Sequence, residues 1–285
     1  MRETKMKLVL VTGANGYIGS HVVRHLLDMG AEVIAADVSA GATDPRAKQI
    51  VCDIFSTPLE TLLKGRTPDV CLHLVGKDGF CHSSPEHLTM LPLHYAFFEQ
   101  IARCGIKQLA VMGSMHEVGY FEGAIDENTP CNPLSLYGIA KNALRQSTCI
   151  LCRERNIVFQ WLRGFYITGD DMRNNSVFTK ILAAAREGVK EFPFVSGEKC
   201  CDFINMEELT KQICAAILQS EVTGIINCCS GKGVSLRETA EDFIRKNKLD
   251  IRLVYGAFPD RAYDSPAVWG DDTKIRRILR GQSNP

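Results

Sequence analysis

A chain of 285 residues with 45 % hydrophobic content can bury a large core, as one big domain or two modest ones. Its 33 Lys and Arg balance 33 Asp and Glu, so no basic field is available for nucleic acid or an anionic membrane, and neither is expected as a partner. No apolar run approaches the ~20 residues of a spanning helix, and no secretory core precedes the first strand-like segment, so a cytoplasmic location is expected.

In chain order, Lys7–Thr12 reads as a strand ending in a glycine turn, and Tyr17–Met29 as a helix with Ile18, Val22, Leu26 and Leu27 on one face. Glu32–Ala36 and Gln49–Cys52 read as strands, and Pro58–Lys64 as a short helix. Asp69–Leu74 reads as a fourth strand, Pro85–Cys104 as a long helix and Gln108–Met112 as a fifth strand. Ser135–Arg155 is predicted to be a second long helix and Ile157–Leu162 a sixth strand. Several strands are apolar on both faces, as in a parallel sheet covered by helices on each side. Right-handed crossovers then give an α/β, Rossmann-like doubly wound parallel sheet over residues 1–166. From residue 167 to 285 the alternation weakens, which predicts mainly a smaller C-terminal substrate-binding lobe. The segment around 200–230 is expected to return to the first domain.

The twelve cysteines do not form a disulfide framework pattern. Cys52, Cys71, Cys214 and Cys228 lie in apolar segments, where the thiol acts as a small hydrophobe. Cys149 and Cys152 form a CxxC inside a predicted helix, with no second pair at zinc-ligand spacing. Packing roles are expected, and no metal site.

The stretch Gly13–Ala14–Asn15–Gly16–Tyr17–Ile18–Gly19, between a strand and an amphipathic helix, carries the strongest signal. Gly13 permits a tight turn, Gly16 lets the backbone approach a pyrophosphate, and Gly19 lets the helix pack closely on the sheet. The helix N-terminus offers free N–H groups to phosphates. Asp37, ending the second strand, is placed to accept both hydroxyls of an adenosine ribose and to repel a 2′-phosphate, which favours NAD over NADP. Asp53 and Ile54 follow the third strand, beside the expected adenine.

Tyr137 and Lys141 stand at i and i+4 and share one helix face. A free phenol titrates near ~10; a neighbouring ammonium and a bound nicotinamide favour the phenolate, so the pair can move a proton while the cofactor moves a hydride.

Glycine loop and Tyr-x-x-x-Lys, in this order, resemble the extended short-chain dehydrogenase/reductase family, in its NAD-dependent epimerase/dehydratase, nucleotide-sugar branch. His73–Leu74–Val75–Gly76 resembles the family's turn after the fourth strand. Asp202–Phe203–Ile204, Asn227–Gly231 with Val234–Leu236, Pro259–Arg261 and Trp269–Ile275 resemble its C-terminal segments. The resemblance implies an N-terminal NAD domain, with Leu74, Val75 and Gly76 beside the cofactor and Tyr137 and Lys141 at the nicotinamide. It also implies a nucleoside-diphosphate sugar as substrate, Arg261 as a diphosphate contact, and a homodimer built on two helices per subunit.

Three positions depart from the family's pattern or sharpen it. Met115 stands where the family has a Ser or Thr that hydrogen-bonds the reacting sugar oxygen; Ser114 and His116 are the neighbouring candidate donors. Cys201 stands where an Arg helps hold the nucleotide. Glu117 matches the Glu that acts as acid or base in related dehydratases. The function expected is NAD(H)-dependent reduction of a nucleotide-linked 4-keto (deoxy)hexose. The alternatives are an epimerase or dehydratase that retains NAD, and a catalytically silent dinucleotide-binding protein.

Overall fold

The computed structural model describes residues 6–41, 43–169, 172, 174–260 and 264–282. The chain runs β1 (Leu8–Thr12), α1 (Gly19–Asp28), β2 (Glu32–Asp37), β3 (Lys48–Val51), α2 (Leu59–Leu63), β4 (Val70–His73), α3 (Glu86–Thr89), α4 (Leu91–Arg103) and β5 (Gln108–Ser114). A 3₁₀ turn, Met115–Glu117, follows, then β6 (Gly123–Ile125), α5 (Leu136–Glu154), β7 (Val158–Gly164), β8 (Tyr166–Thr168), α6 (Val177–Arg186) and β9 (Glu191–Pro193). The last third comprises β10 (Cys200–Asn205), α7 (Met206–Ile217), β11 (Gly224–Cys228), β12 (Gly233–Ser235), α8 (Leu236–Lys246), β13 (Arg252–Val254), β14 (Ala267–Gly270) and α9 (Thr273–Gln282).

A seven-stranded sheet has the order β11-β7-β5-β4-β1-β2-β3, with every neighbour parallel. The order reverses between β1 and β4, so the loops after these two strands diverge and leave a crevice at their carboxyl ends. Both faces are covered. Val9, Val11 and Val33 pack with Val22, Val23 and Leu26 of α1 and with Ile213 and Ile217 of α7. Leu10, Ile34, Cys71 and Leu109 pack on the other face with Phe97, Phe98 and Ile101 of α4 and Leu144 of α5. The two-sided apolar strands are the reason for this double cover.

Two segments differ from the sequence-based expectation. The stretch Pro85–Cys104 forms two helices rather than one. Pro92, at the start of α4, has no N–H to give to a carbonyl one turn back, so the hydrogen-bond ladder is interrupted beside Met90. Within the segment 200–230, β11 joins the large sheet beside β7 and α7 covers it. β10 instead joins a second sheet with β12, β14 and β6, and pairs with β8 in the same layer. That second sheet and α6, α8 and the β9–β13 pair stand over the β5 and β7 ends, and a separate apolar cluster around Phe178, Ile181, Phe194 and Ala240 holds α6 to α8.

Cys149 is exposed and Cys152 buried on α5; burial pushes the Cys152 thiol up to about 12, far from thiolate chemistry. Among the described residues no helix is long and apolar enough to cross a membrane.

Candidate active site

The glycine turn sits at the crevice between β1 and β4. Gly13 has φ +73°, a region that penalises side chains, and a Cβ there would stand 3.0 Å from the Val75 amide nitrogen. A Cβ on Gly19 would stand 2.1 Å from the Gly13 carbonyl oxygen, so α1 starts against the turn itself. Leu74 N–H donates to Thr12 O at 3.0 Å, which brings Leu74, Val75 and exposed Gly76 to the same edge. Asn15 bridges outward, donating to Ser39 O and accepting from Thr43 Oγ1, while Tyr17 OH donates to Gly169 O. Ile18 caps α1 and packs on the core.

Asp37 ends β2 beside this turn. One of its carboxylate oxygens accepts from Asn15 N–H at 3.0 Å and the other from Ser39 N–H and Oγ at 3.0 Å. The carboxylate is thus oriented at the sheet edge, next to the glycine backbone. Asp53 is exposed and its carboxylate accepts from Phe55 N–H and Ser56 Oγ, while Ile54 is buried in the core beneath. A bare glycine backbone cradle, a helix N-terminus and an oriented carboxylate at one switch point fit an adenine dinucleotide. Gly13, Gly16 and Gly19 would face its pyrophosphate and Asp37 its ribose.

Across the crevice, α5 presents Tyr137 and Lys141. Ser135 caps the helix, its Oγ accepting from Gly138 N–H at 3.1 Å. Gly138 is required there: a Cβ would lie 2.3 Å from the His116 carbonyl oxygen, so α5 presses on the 3₁₀ turn. Lys141 Nζ donates to Met112 O at 2.9 Å and lies 5.9 Å from the centre of the Tyr137 ring. Burial lowers the ammonium to about 8, with the Glu117 charge opposing. Burial raises the Tyr137 phenol above its ordinary value, and a hydrogen bond with the Ser114 side chain opposes this.

Ser114, one residue before Met115, brings a hydroxyl toward Tyr137. Ser114 is the last residue of β5, extended at φ −150° and ψ 146°. The chain then turns at once into the 3₁₀ segment, where Met115 packs with Val118, Ile125 and Phe165. The Ser114 Oγ stays on the Tyr137 side and also accepts from His116 N–H at 3.4 Å.

Glu117 is fully buried beneath this turn: Oε1 accepts from Arg163 Nε at 2.7 Å and Oε2 from Trp161 Nε1 at 2.7 Å. Both oxygens are engaged in the floor under the 3₁₀ turn, where Glu117 holds the turn in place. Arg261, expected at a diphosphate, lies outside the described residues.

The motifs did not point to a group of histidines around Tyr137. The His82 ring stacks on Tyr137 with centroids 5.1 Å apart and 12° between planes; His87 and His116 approach the same ring at 5.0 and 6.1 Å. Behind Lys141, Thr12 Oγ1, His73 and His94 form a chain with 2.8 Å at each link, and burial holds both imidazoles low, His94 at about 3. A cleft between Val75, Gly76, His87, His94, Tyr137 and Lys141 opens here. Histidines drawn from separate segments at irregular spacing leave no periodic signal, so only the fold brings them together.

Residues 9–229 match the sequence model of the NAD dependent epimerase/dehydratase family. The chain belongs to this family. A dTDP-6-deoxy-L-talose 4-dehydrogenase (NAD(+)) of Aggregatibacter actinomycetemcomitans is 45 % identical over 271 residues, covering 92 % of this chain and 98 % of that protein. Among solved structures, MoeE5 in complex with UDP-glucuronic acid and NAD superposes with a TM-score of 0.82 at 23 % identity, covering 95 % of this chain and 92 % of the other. A UDP-N-acetylglucosamine 4-epimerase from Methanobrevibacter ruminantium M1 gives 0.83 at 22 % identity, covering 96 % and 92 %. These two share the fold. As a family member the chain is an NAD-dependent enzyme of the extended short-chain dehydrogenase/reductase type.

Proposed function

We propose that the protein is an NAD(H)-dependent oxidoreductase that interconverts a 4-keto and a 4-hydroxy group on a nucleoside-diphosphate (deoxy)hexose, in the reductive direction as its main task. The observation that carries the reading is the Ser114–Tyr137–Lys141 arrangement at the edge of the glycine crevice. The near full-length likeness to a nucleotide-sugar 4-dehydrogenase supports it.

When bound, the nicotinamide supplies or takes the hydride. The chain's own residues do the rest. Tyr137 gives its proton to the nascent alkoxide in reduction and takes it back in oxidation. Ser114 holds the phenol and the reacting oxygen in line. Lys141, fixed against the Met112 carbonyl, biases the phenol toward its ionised form, and His82 and His116 exclude water from one side. With Ser114 at Tyr137, Met115 gives no ground for a silent protein.

Gly13, Asn15, Gly16, Tyr17, Ile18, Gly19, Asp37, Asp53, Ile54, Leu74, Val75 and Gly76 are assigned to the cofactor. Ser114, Met115, His116 and Arg261 are assigned to the sugar nucleotide. We place the enzyme in the cytoplasm as a homodimer; exposed Leu93 on α4 and Ile139 and Ile150 on α5 offer an apolar face for a second copy.

Turnover with a nucleotide-linked 4-keto-6-deoxyhexose tests the reading. One NADH is expected to be consumed per sugar reduced. Conversion of the sugar with no net change in NADH would instead make it a retained-cofactor epimerase or dehydratase.

A further inference from the structure

A second, small cavity opens beside Tyr137, and chain neighbours of Ser114 and Tyr137 build part of its wall. Met115 and His116 directly follow Ser114, and Leu134 and Ser135 lead into Tyr137. The His116 ring lies between the two tyrosines, 6.1 Å from the Tyr137 ring and 5.9 Å from the Tyr166 ring. A substrate with its reacting carbon at Tyr137 thus continues past His116 into this space.

The far wall carries Lys199. Lys199 Nζ donates to Tyr166 OH at 2.9 Å and pairs with Asp264 at 2.8 Å, and both charged side chains are largely shielded, 13 % and 15 % exposed. Three other cations among the described residues are committed elsewhere. Arg163 is buried under the turn on Glu117, Lys141 holds the Met112 carbonyl, and exposed Lys77 pairs with Glu86 at the other cleft. Cys201, two residues on from Lys199 along the same strand face, is buried and uncharged beside Tyr166.

We propose that Lys199 is an anion-binding residue of the substrate cavity, taking a phosphoryl oxygen of the nucleoside diphosphate in exchange for Asp264. The assignment rests on the substrate reading above. An ammonium shielded from bulk water and seated by a tyrosine hydroxyl is pre-positioned for an anion at low ordering cost. Asp264 keeps that charge compensated while the cavity holds no phosphate. It competes with the incoming anion for the same ammonium, so the carboxylate weakens binding as Lys199 strengthens it. Tyr166 orients the ammonium through its hydroxyl and by its ring, 5.2 Å away. These opposite signs separate a binding cation from a structural ion pair.

Titration calorimetry on the NADH-loaded full chain, with dTDP and with UDP as probes, tests this. Lys199→Met is expected to weaken the better of the two by about tenfold to a hundredfold, the loss of a hydrogen bond to a charged group. Lys199→Arg is expected to recover most of it, Asp264→Asn to tighten it at least threefold, and NADH affinity to stay within twofold in all three. Lys199→Met binding the probe like the unaltered chain overturns the assignment alone. So does equal weakening by Lys199→Met and Asp264→Asn, which marks a structural clasp. An unaltered chain that binds NADH but neither diphosphate overturns the substrate reading together with this assignment.

Discussion

Arg163 Nε and Glu117 Oε1 stand 2.7 Å apart with both side chains at 0 % exposure, directly beneath the turn that carries Ser114 out of β5. Trp161 Nε1 completes the carboxylate's shell, and Arg163 Nη1 reaches Asp126 O at 2.9 Å. Removing one partner of such a pair leaves an uncompensated buried charge and costs about 3–5 kcal/mol. Glu117→Leu is therefore expected to lower unfolding free energy by that amount, read by urea denaturation. Glu117→Gln, which keeps an acceptor for Trp161, is expected to lose less stability and to keep kcat within about tenfold. A stable Glu117→Gln protein with kcat down by the 10²–10⁴ that mark a lost acid–base group would return Glu117 to the chemistry.

Tyr137→Phe is expected to abolish turnover while NADH affinity stays nearly unchanged, because the phenol moves the proton and does not hold the dinucleotide. Ser114→Ala is expected to lower kcat about tenfold to a hundredfold. The Ser114 bond holds the buried phenol down against its desolvation, so its loss moves the Tyr137 pKa further up. The pH profile of alcohol oxidation should accordingly shift to higher pH in Ser114→Ala. An unshifted profile would mean that Ser114 does not touch the phenol.

Gly19→Ala reverses the usual sign of a Gly-to-Ala change in a helix, which stabilises by roughly 0.5–1 kcal/mol. Here the new Cβ would sit 2.1 Å from the Gly13 carbonyl, so α1 must withdraw from the turn. Lower Tm and NADH affinity weakened at least tenfold are expected together. A variant that is stabilised and binds NADH normally would show that the turn and α1 need no such approach.

Lys141 gives a pH dependence of stability with a defined window. Burial lowers it from 10.5 to about 8, so below about 8 it is charged in both folded and unfolded states and its desolvation cost is fully present. Between about 8 and 10.5 the unfolded chain holds the proton and the folded chain does not, so this cost fades as pH rises. Glu117, His73, His94 and Tyr137 are the titratable groups coupled to it electrostatically or in ring contact. Lys141→Met should exceed the unaltered chain in unfolding free energy at pH 7, and that margin should vanish by pH 10.5. A margin that does not change with pH would place the ammonium in water.

The large sheet was legible in the sequence because its strands are apolar on both faces and its glycine turn has a spacing that only a close helix start requires. The Tyr137–Lys141 pair was legible because both residues lie on one helix, where spacing fixes their shared face. Glu117 was not, since its burial depends on Arg163 and Trp161, residues forty and more positions away that β7 brings under it. Ser114 was read as a candidate donor beside Met115, and strand alternation alone left its side open. The 3₁₀ turn that begins at Met115 breaks that alternation. The histidines at Tyr137 come from three separate segments and share no period, and the break at Pro92 hides inside an otherwise helical run.

The proposed reaction requires hydride delivery to the C4 carbon of the sugar and proton delivery to the oxygen on that carbon, both beside Tyr137. Reduction of a nucleotide-linked 4-keto-6-deoxyhexose with NADH carrying deuterium at the transferable nicotinamide position, followed by NMR of the sugar, tests it most directly. The account predicts one deuterium at C4 for every NADH consumed, and none with Tyr137→Phe. Deuterium at another carbon, or reduced sugar without deuterium, would contradict it.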